Sequence, residues 1–147
     1  AYTYTDAPED KAPTDVEEIS PDSVDSKFEM ALNNLPEEPM LFHMYFKTEE
    51  TTIQPESQGV IDQIVDYLRT KMNPRISIIG HTDRSGNEAF NKDLSMRRAA
   101  KVEQMLKEKG IDPDDMSLYY FGEKDPLVPT ADGVHEPLNR RVEIFIR

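Results

Sequence analysis

No cysteine occurs among the 147 residues. Disulfides, thiolate catalysis and cysteine-ligated zinc are therefore excluded, and any lipid-anchoring N-terminal cysteine would lie outside this sequence. No run approaches the ~20 consecutive apolar residues that a membrane-spanning helix needs. No charged-then-apolar start resembles a signal peptide, so the sequence is expected to be a mature or trimmed form, or a cytosolic protein. Bases are scarce, with 17 Lys and Arg against 29 Asp and Glu and a net charge of -12. That balance argues against a nucleic-acid partner, because phosphate binding needs a basic surface. Catalytic patterns are missing as well. There is no HExxH, no carboxylate pair suited to sugar cleavage, and no His and Asp partner for Ser95 as a nucleophile. His43, His81 and His135 show no metal-ligand spacing, so neither a metal nor a cofactor is expected.

What is present supports one compact domain plus an extension. Hydrophobic residues make up 37% and charged residues 31%, enough for a small core and a solvated surface. The charge is uneven. Residues 1–25 hold eight acids (Asp6, Glu9, Asp10, Asp15, Glu17, Glu18, Asp22, Asp25), one base, Lys11, and Pro8, Pro13 and Pro21. Such a segment buries too little apolar surface to offset its ordering entropy. It is expected to be a disordered tether, reaching about 80 Å if fully stretched. Residues 26–39 follow as a short helix over 26–34, with Phe28 and Leu32 as contacts, and a linker that Pro36 and Pro39 keep extended.

From residue 40 onward, strand and helix patterns alternate. Met40 to Phe46 is a short aromatic-rich apolar run and reads as a strand. Val60, Ile61, Ile64, Val65, Leu68 and Met72 fall at helical spacing and predict a helix over 56–72, stopped by Pro74. Arg75 to His81 is a β-branched run consistent with a buried strand. Ser95 stands where a helix cap belongs; Ala99, Val102, Met105 and Leu106 follow at helical spacing, and Gly110 closes that helix. Met116 to Phe121 and Arg141 to Ile146 are the last two strands. The order β-α-β-α-β-β predicts an α/β fold, a two-layer sandwich with two helices packed on a small mixed four-stranded sheet. Crossovers of the usual hand make the early strands parallel where they are neighbours.

In such a sheet, ligand sites gather beyond the carboxyl ends of the parallel strands. Three segments meet there: the loop 47–52, the loop 82–94, and the first turn of the second helix, 95–98. Thr82 and Asp83 leave their strand at once, and Arg98 lies three residues past the proposed cap. One anion, one cation and the free N–H groups of a helix start converge. The complementary ligand is a zwitterion, with an ammonium for Asp83 and a carboxylate for the planar fork of Arg98. The alternative at this point is an Asp83–Arg98 ion pair that merely closes the loop.

The same residues carry a resemblance. Gly80-His81-Thr82-Asp83, Gly86, Asn91, Leu94-Ser95 and Arg98-Ala99 resemble the central motif of OmpA-like domains in composition and spacing. Tyr120-Phe121-Gly122-Glu123 with Pro126, and Asn139-Arg140-Arg141-Val142-Glu143-Ile144, are similar to two further blocks of that family in the same order. The resemblance covers residues 40–147. It implies a periplasmic peptidoglycan-binding domain, tethered to the outer membrane in the full-length protein. The implied partner is the diaminopimelate of the stem peptide, with Asp83 and Arg98 on its ammonium and carboxylate. It also implies that membrane contact comes only through an upstream segment. Asn91 is expected to hold loop and ligand, with Thr82, Phe46 and Glu49 completing the ligand-binding set. Strand alternation sends one of Arg140 and Arg141 to each face, and Arg141 is expected to supply a second cation. His81 is expected to shape the loop. One departure stands out: the family commonly has Phe-Asp after the first strand, and here Phe46 is followed by Lys47, Thr48, Glu49 and Glu50. A protein-interaction or dimerisation domain on the same fold, with a degenerate wall site, is the competing expectation.

Overall fold

The computed structural model describes residues 38–147 in full, and before them the backbone of two short strands, β1 (Tyr2–Tyr4) and β2 (Glu17–Ile19). The chain divides into two compact units, 1–37 and 38–147. In the first, β1 and β2 pair antiparallel, with Tyr2 opposite Ile19 and Tyr4 opposite Glu17. This departs from the tether expected over 1–25 at these six residues. Tyr, Thr and Ile are strand formers, and a composition averaged over acids and prolines hides them. The helix expected over 26–34 lies outside the described residues.

In the second unit the order is β3 (Met40–Tyr45), α1 (Val60–Leu68), β4 (Ile76–His81), α2 (Glu88–Glu108), β5 (Met116–Gly122) and β6 (Arg141–Ile146). The four strands form one mixed sheet in the order β3-β6-β4-β5. β6 runs antiparallel to both β3 and β4, while β4 and β5 are parallel. The last strand thus inserts between the first two. β3, β4 and β5 all point the same way, so their carboxyl ends share one edge of the sheet with the amino end of β6. The expected two-layer α/β architecture is the one observed.

The core lies between the helices and one sheet face. On β4 and β6 the residues Ile76, Ile78, Val142, Ile144 and Ile146 alternate inward and are buried, as a period of two requires. α1 adds Ile61, Ile64, Val65 and Leu68, spaced three and four apart. α1 is shorter than the 56–72 stretch. Pro55–Ser57 form a separate 3-10 turn, and the chain turns away after Leu68. There Thr70 Oγ1 donates to the Tyr67 carbonyl and Asn73 adopts a positive φ of 53°. Met72, expected on the buried stripe, is 91% exposed.

α2 begins about two turns before the expected cap. Asn87 is its N-cap, and its Oδ1 accepts from the Phe90 N–H at 2.9 Å. The buried stripe of α2 runs Asn91, Leu94, Ser95, Arg98, Ala99, Val102, Leu106. Its first half is polar, so apolar periodicity reveals only the second half. Gly110 ends the helix as expected, with φ +89°. The Ile111 N–H reaches the Leu106 carbonyl and the Gly110 N–H that of Lys107, both bonds of a Schellman motif.

Candidate functional site

The site forms where α2 lies directly on the end of β4. A Cβ built on Gly80 would sit 2.0 Å from the backbone oxygen of Ser95, so only glycine lets the helix approach this closely. Ser95 is a bracket there. Its hydroxyl donates to the Lys92 carbonyl at 2.8 Å and accepts from the Gly122 N–H at 3.0 Å. Gly122 itself holds φ +60°, and its carbonyl accepts from the Thr82 N–H at 2.8 Å. These contacts place Thr82 and Asp83 against the polar half of the α2 stripe.

Arg98 is wholly buried. Its Nε donates to the Glu50 carbonyl at 3.0 Å, Nη1 to that of His81 at 3.1 Å, and Nη2 to that of Lys47 at 2.8 Å. Its guanidinium carbon lies 5.4 Å from the centre of the Phe46 ring, within cation–π range. Burial pulls its pKa down to about 10, against the opposing pull of Asp83, so it stays cationic at neutral pH. Three of the five guanidinium N–H groups thus meet backbone carbonyls, which accept hydrogen bonds without neutralising the charge.

Asp83 is also buried. Oδ1 accepts from the Ser85 hydroxyl at 2.7 Å and the Ser85 N–H at 3.4 Å; Oδ2 accepts from Arg140 Nη1 at 3.0 Å and the Glu136 N–H at 3.2 Å. Burial alone raises the Asp83 pKa, but the hydrogen bonds from Ser85, Arg140 and Glu136 outweigh it and hold the carboxyl below its ordinary value. The ion pair closing this loop is therefore Asp83–Arg140, and Arg98 acts on Asp83 through its field.

The two arginines do go to opposite faces, but the one beside Asp83 is Arg140 and not the expected Arg141. Arg140 precedes β6, at the end of a 3-10 turn over Pro137–Asn139, and it is in phase with the inward-facing Val142, Ile144 and Ile146, as a period of two requires. Its Nε donates to the Phe46 carbonyl at 3.3 Å. Arg141, the first residue of β6, turns to the opposite face, where Nε donates to Glu143 at 2.8 Å and Nη2 to the Asp125 carbonyl at 3.4 Å. The sequence signal was the apolar alternation of Val142, Ile144 and Ile146, which puts Arg140 on their face.

The remaining expected residues fall into different places. Asn91 is buried and tied up in the fold, its Nδ2 donating to the Gly86 carbonyl at 3.2 Å and to Glu123 at 2.5 Å. Phe46 is fully buried and forms the floor beneath Arg98. Thr82 is buried, and its Oγ1 has no hydrogen-bond partner among the described residues. Glu49 is exposed at a positive φ of 54°, at the tip of the loop whose carbonyls hold Arg98. The α2 N-terminus, expected beside Arg98, lies eleven residues earlier at Asn87, so its dipole does not act on that guanidinium. Sequence reasoning missed the segment between β5 and β6. It brings the Glu136 N–H to Asp83, sets His135 Nδ1 3.9 Å from Asp83 Oδ2, and anchors itself through Gly133 N–H on the Arg84 carbonyl at 2.7 Å. Among the described residues no group of His, Cys, Asp or Glu is arranged to hold a metal ion, and no helix is long and apolar enough to cross a membrane.

Comparison with known proteins bears on the family and the fold. The chain is 36% identical over 102 residues to outer membrane protein A of Bordetella avium, covering 69% of this chain and 53% of that protein. It is 32% identical over 101 residues to outer membrane porin F of Pseudomonas fluorescens, covering 69% and 31%. The chain thus spans about a third to a half of the length of these relatives. The peptidoglycan-associated lipoprotein from Burkholderia pseudomallei superposes with a TM-score of 0.65 at 26% identity, covering 71% of this chain and 89% of that one. The periplasmic domain of Helicobacter pylori MotB shares the fold, with a TM-score of 0.61 at 19% identity over 76% and 78%. The OmpA family pattern matches residues 45–140, and this chain, with its mixed sheet and its blocks around Asp83, Arg98 and Arg140, belongs to the OmpA family.

Proposed function

We propose that this chain binds peptidoglycan non-covalently, through the diaminopimelate of a stem peptide, and so anchors an envelope protein to the wall. The observation that carries the reading is a charge imbalance. Two buried guanidinium groups, Arg98 and Arg140, face a single buried carboxylate, Asp83, in a chain whose net charge is -12. Burying an excess cation is costly unless a counter-charge arrives. A free carboxylate of the ligand supplies it, bound by the N–H groups of Arg98 that the carbonyls leave over. The ligand's ammonium goes to Asp83. That carboxylate already accepts four hydrogen bonds, so the ammonium displaces the longest of them, from the Ser85 and Glu136 N–H groups at 3.4 and 3.2 Å. The role is binding and not turnover. A periplasmic location, held at the outer membrane by an upstream segment, suits that role and the names of the relatives.

The test is a pull-down on purified sacculi with wild type, Asp83→Asn and Arg98→Lys, each checked for folding by circular dichroism. Wild type is expected in the pellet and released by free meso-diaminopimelate, with at least ten-fold weaker retention for both folded variants. Wild type left in the supernatant at low salt would sink the reading.

A further inference from the structure

The segment between β5 and β6 is pinned twice beside Asp83. Its Gly133 N–H donates to the Arg84 carbonyl at 2.7 Å, and its Glu136 N–H donates to Asp83 Oδ2 at 3.2 Å. Glu136 is fixed a second time, because its carboxylate accepts from the Leu138 N–H at 3.1 Å. Val134 and His135 span the two pins, and both are exposed. The His135 side chain is 61% exposed and that of Asp83 5%, yet His135 Nδ1 lies 3.9 Å from Asp83 Oδ2. Among the described residues Asp83 is the one acid within 4 Å of that ring. The separation is too long for a direct hydrogen bond. It is close to the ~4.6 Å that two acceptors keep when one tetrahedral ammonium donates to both at about 2.8 Å. Closing that distance to 3.9 Å bends each bond by about 10°, which hydrogen bonds tolerate.

We propose that His135 is a specificity-determining residue of this site: the neutral ring and Asp83 hold one primary ammonium between Nδ1 and Oδ2, and the protonated ring takes that ammonium's place. The inference rests on the wall-binding reading and gives the ligand's ammonium a second acceptor. A primary ammonium carries three donors and no acceptor, so a single carboxylate oxygen leaves two donors unmet. With its proton on Nε2, the imidazole offers the Nδ1 lone pair as the next acceptor. An N-acetylated amine has one N–H and no charge, so it cannot donate to both groups. Histidine changes charge in a pH range where the ligand's ammonium and carboxylate keep theirs. The charged groups around the ring are Asp83, the adjoining Glu136, Arg140 on the same carboxylate oxygen, Arg84 paired with Asp132, and Arg98, whose field reaches Asp83. Arginine stays cationic, and Asp83 is held below the ordinary carboxylate range, so mild acid reaches the ring before it reaches that carboxylate. Once protonated, the imidazole has no acceptor left and faces Asp83 as a cation, so imidazolium and bound ammonium exclude each other.

Sacculus retention of the full chain at pH 8 and pH 5.5 tests this, with circular dichroism checking the fold of each variant. Wild type is expected to bind at pH 8 and to weaken at least five-fold by pH 5.5. His135→Gln keeps an acceptor that does not protonate, so it should bind equally at both. His135→Leu removes the acceptor and should bind about three- to ten-fold more weakly at pH 8, with no further loss in acid. His135→Lys sets a fixed ammonium beside Asp83 and should weaken retention at least ten-fold throughout. NMR titration with free meso-diaminopimelate at pH 8 is the second readout. The Glu136 amide, displaced from Oδ2, should shift at similar concentrations in wild type and His135→Gln and at several-fold higher ones in His135→Leu. A His135→Leu variant that binds as tightly as wild type at pH 8 overturns this proposal alone. So does an acid loss that His135→Gln shares. Wild type that binds free meso-diaminopimelate but not sacculi sinks the wall-binding reading, and the NMR ranking of the variants then decides this proposal. Wild type that ignores both probes overturns the two together.

Discussion

At the scale of single residues, the site is a set of buried charges whose protonation sets how stability depends on pH. Burial, then the Arg141 charge, pulls the His81 pKa down to about 4, against about 6.5 in an unfolded chain. Between those values the unfolded state binds more protons, so stability is complete above the upper value and falls as pH drops toward the lower one. Asp83 has the same sense in a lower window. Its folded pKa is below the unfolded value, so its contribution is present above about pH 4 and lost in more acid solution. Urea midpoints at pH 7, 5 and 4 should therefore fall for wild type and fall less for His81→Asn; equal slopes would remove His81 as the cause. Lys47 makes the opposite point. Its carbonyl, and not its exposed side chain, meets Arg98, so Lys47→Ala should change sacculus retention less than two-fold. A large loss would mean that the ammonium itself touches the wall.

At the scale of elements, the decisive contact is the crossing of α2 over β4. Gly80→Ala drives a methyl into the Ser95 backbone, and neither partner is a flexible side-chain end. A cost of about 3 kcal/mol is expected, at the upper end of overpacking effects, visible as a lower urea midpoint with an unchanged slope. Asn87→Ala removes the true cap of α2 and should cost about 1 kcal/mol, with faster amide exchange at Phe90. Ser95 was the expected cap, and the distinction is measurable. Ser95→Ala should leave Phe90 protected and instead expose the Gly122 amide, whose hydroxyl partner it deletes. The strands β3 to β6 and α1 were legible because their buried residues are mostly apolar and follow a simple period. The start of α2 was not, because Asn91, Ser95 and Arg98 are polar yet buried.

At the scale of the molecule, the buried hydrophobic cluster among the described residues runs from Met44 to Ile146, inside the second compact unit. The fragment 38–147 is therefore expected to unfold cooperatively, with a thermal midpoint within a few degrees of the full chain. A broad or strongly lowered transition would show that residues 1–37 contribute to that stability.

The sequence alone determined the alternation of strands and helices, the end of α2 at Gly110, and the family, because local periodicity, turn chemistry and motif spacing are written along the chain. It also brought Asp83 and Arg98 to one end of the sheet, since a strand exit and a following helix return there by connectivity. Only the tertiary structure decided that Arg140 meets Asp83, because it is the packing of the Asp83 loop and Phe46 against the inward face of β6 that brings them together. It also decided that Arg98 is held by the carbonyls of His81, Glu50 and Lys47, which are 17, 48 and 51 residues away in the chain, and that β6 slips between β3 and β4 to leave β5 at the edge. These are long-range pairings. Their energies come from hydrogen bonds and packing between distant segments, which no local pattern of residues encodes.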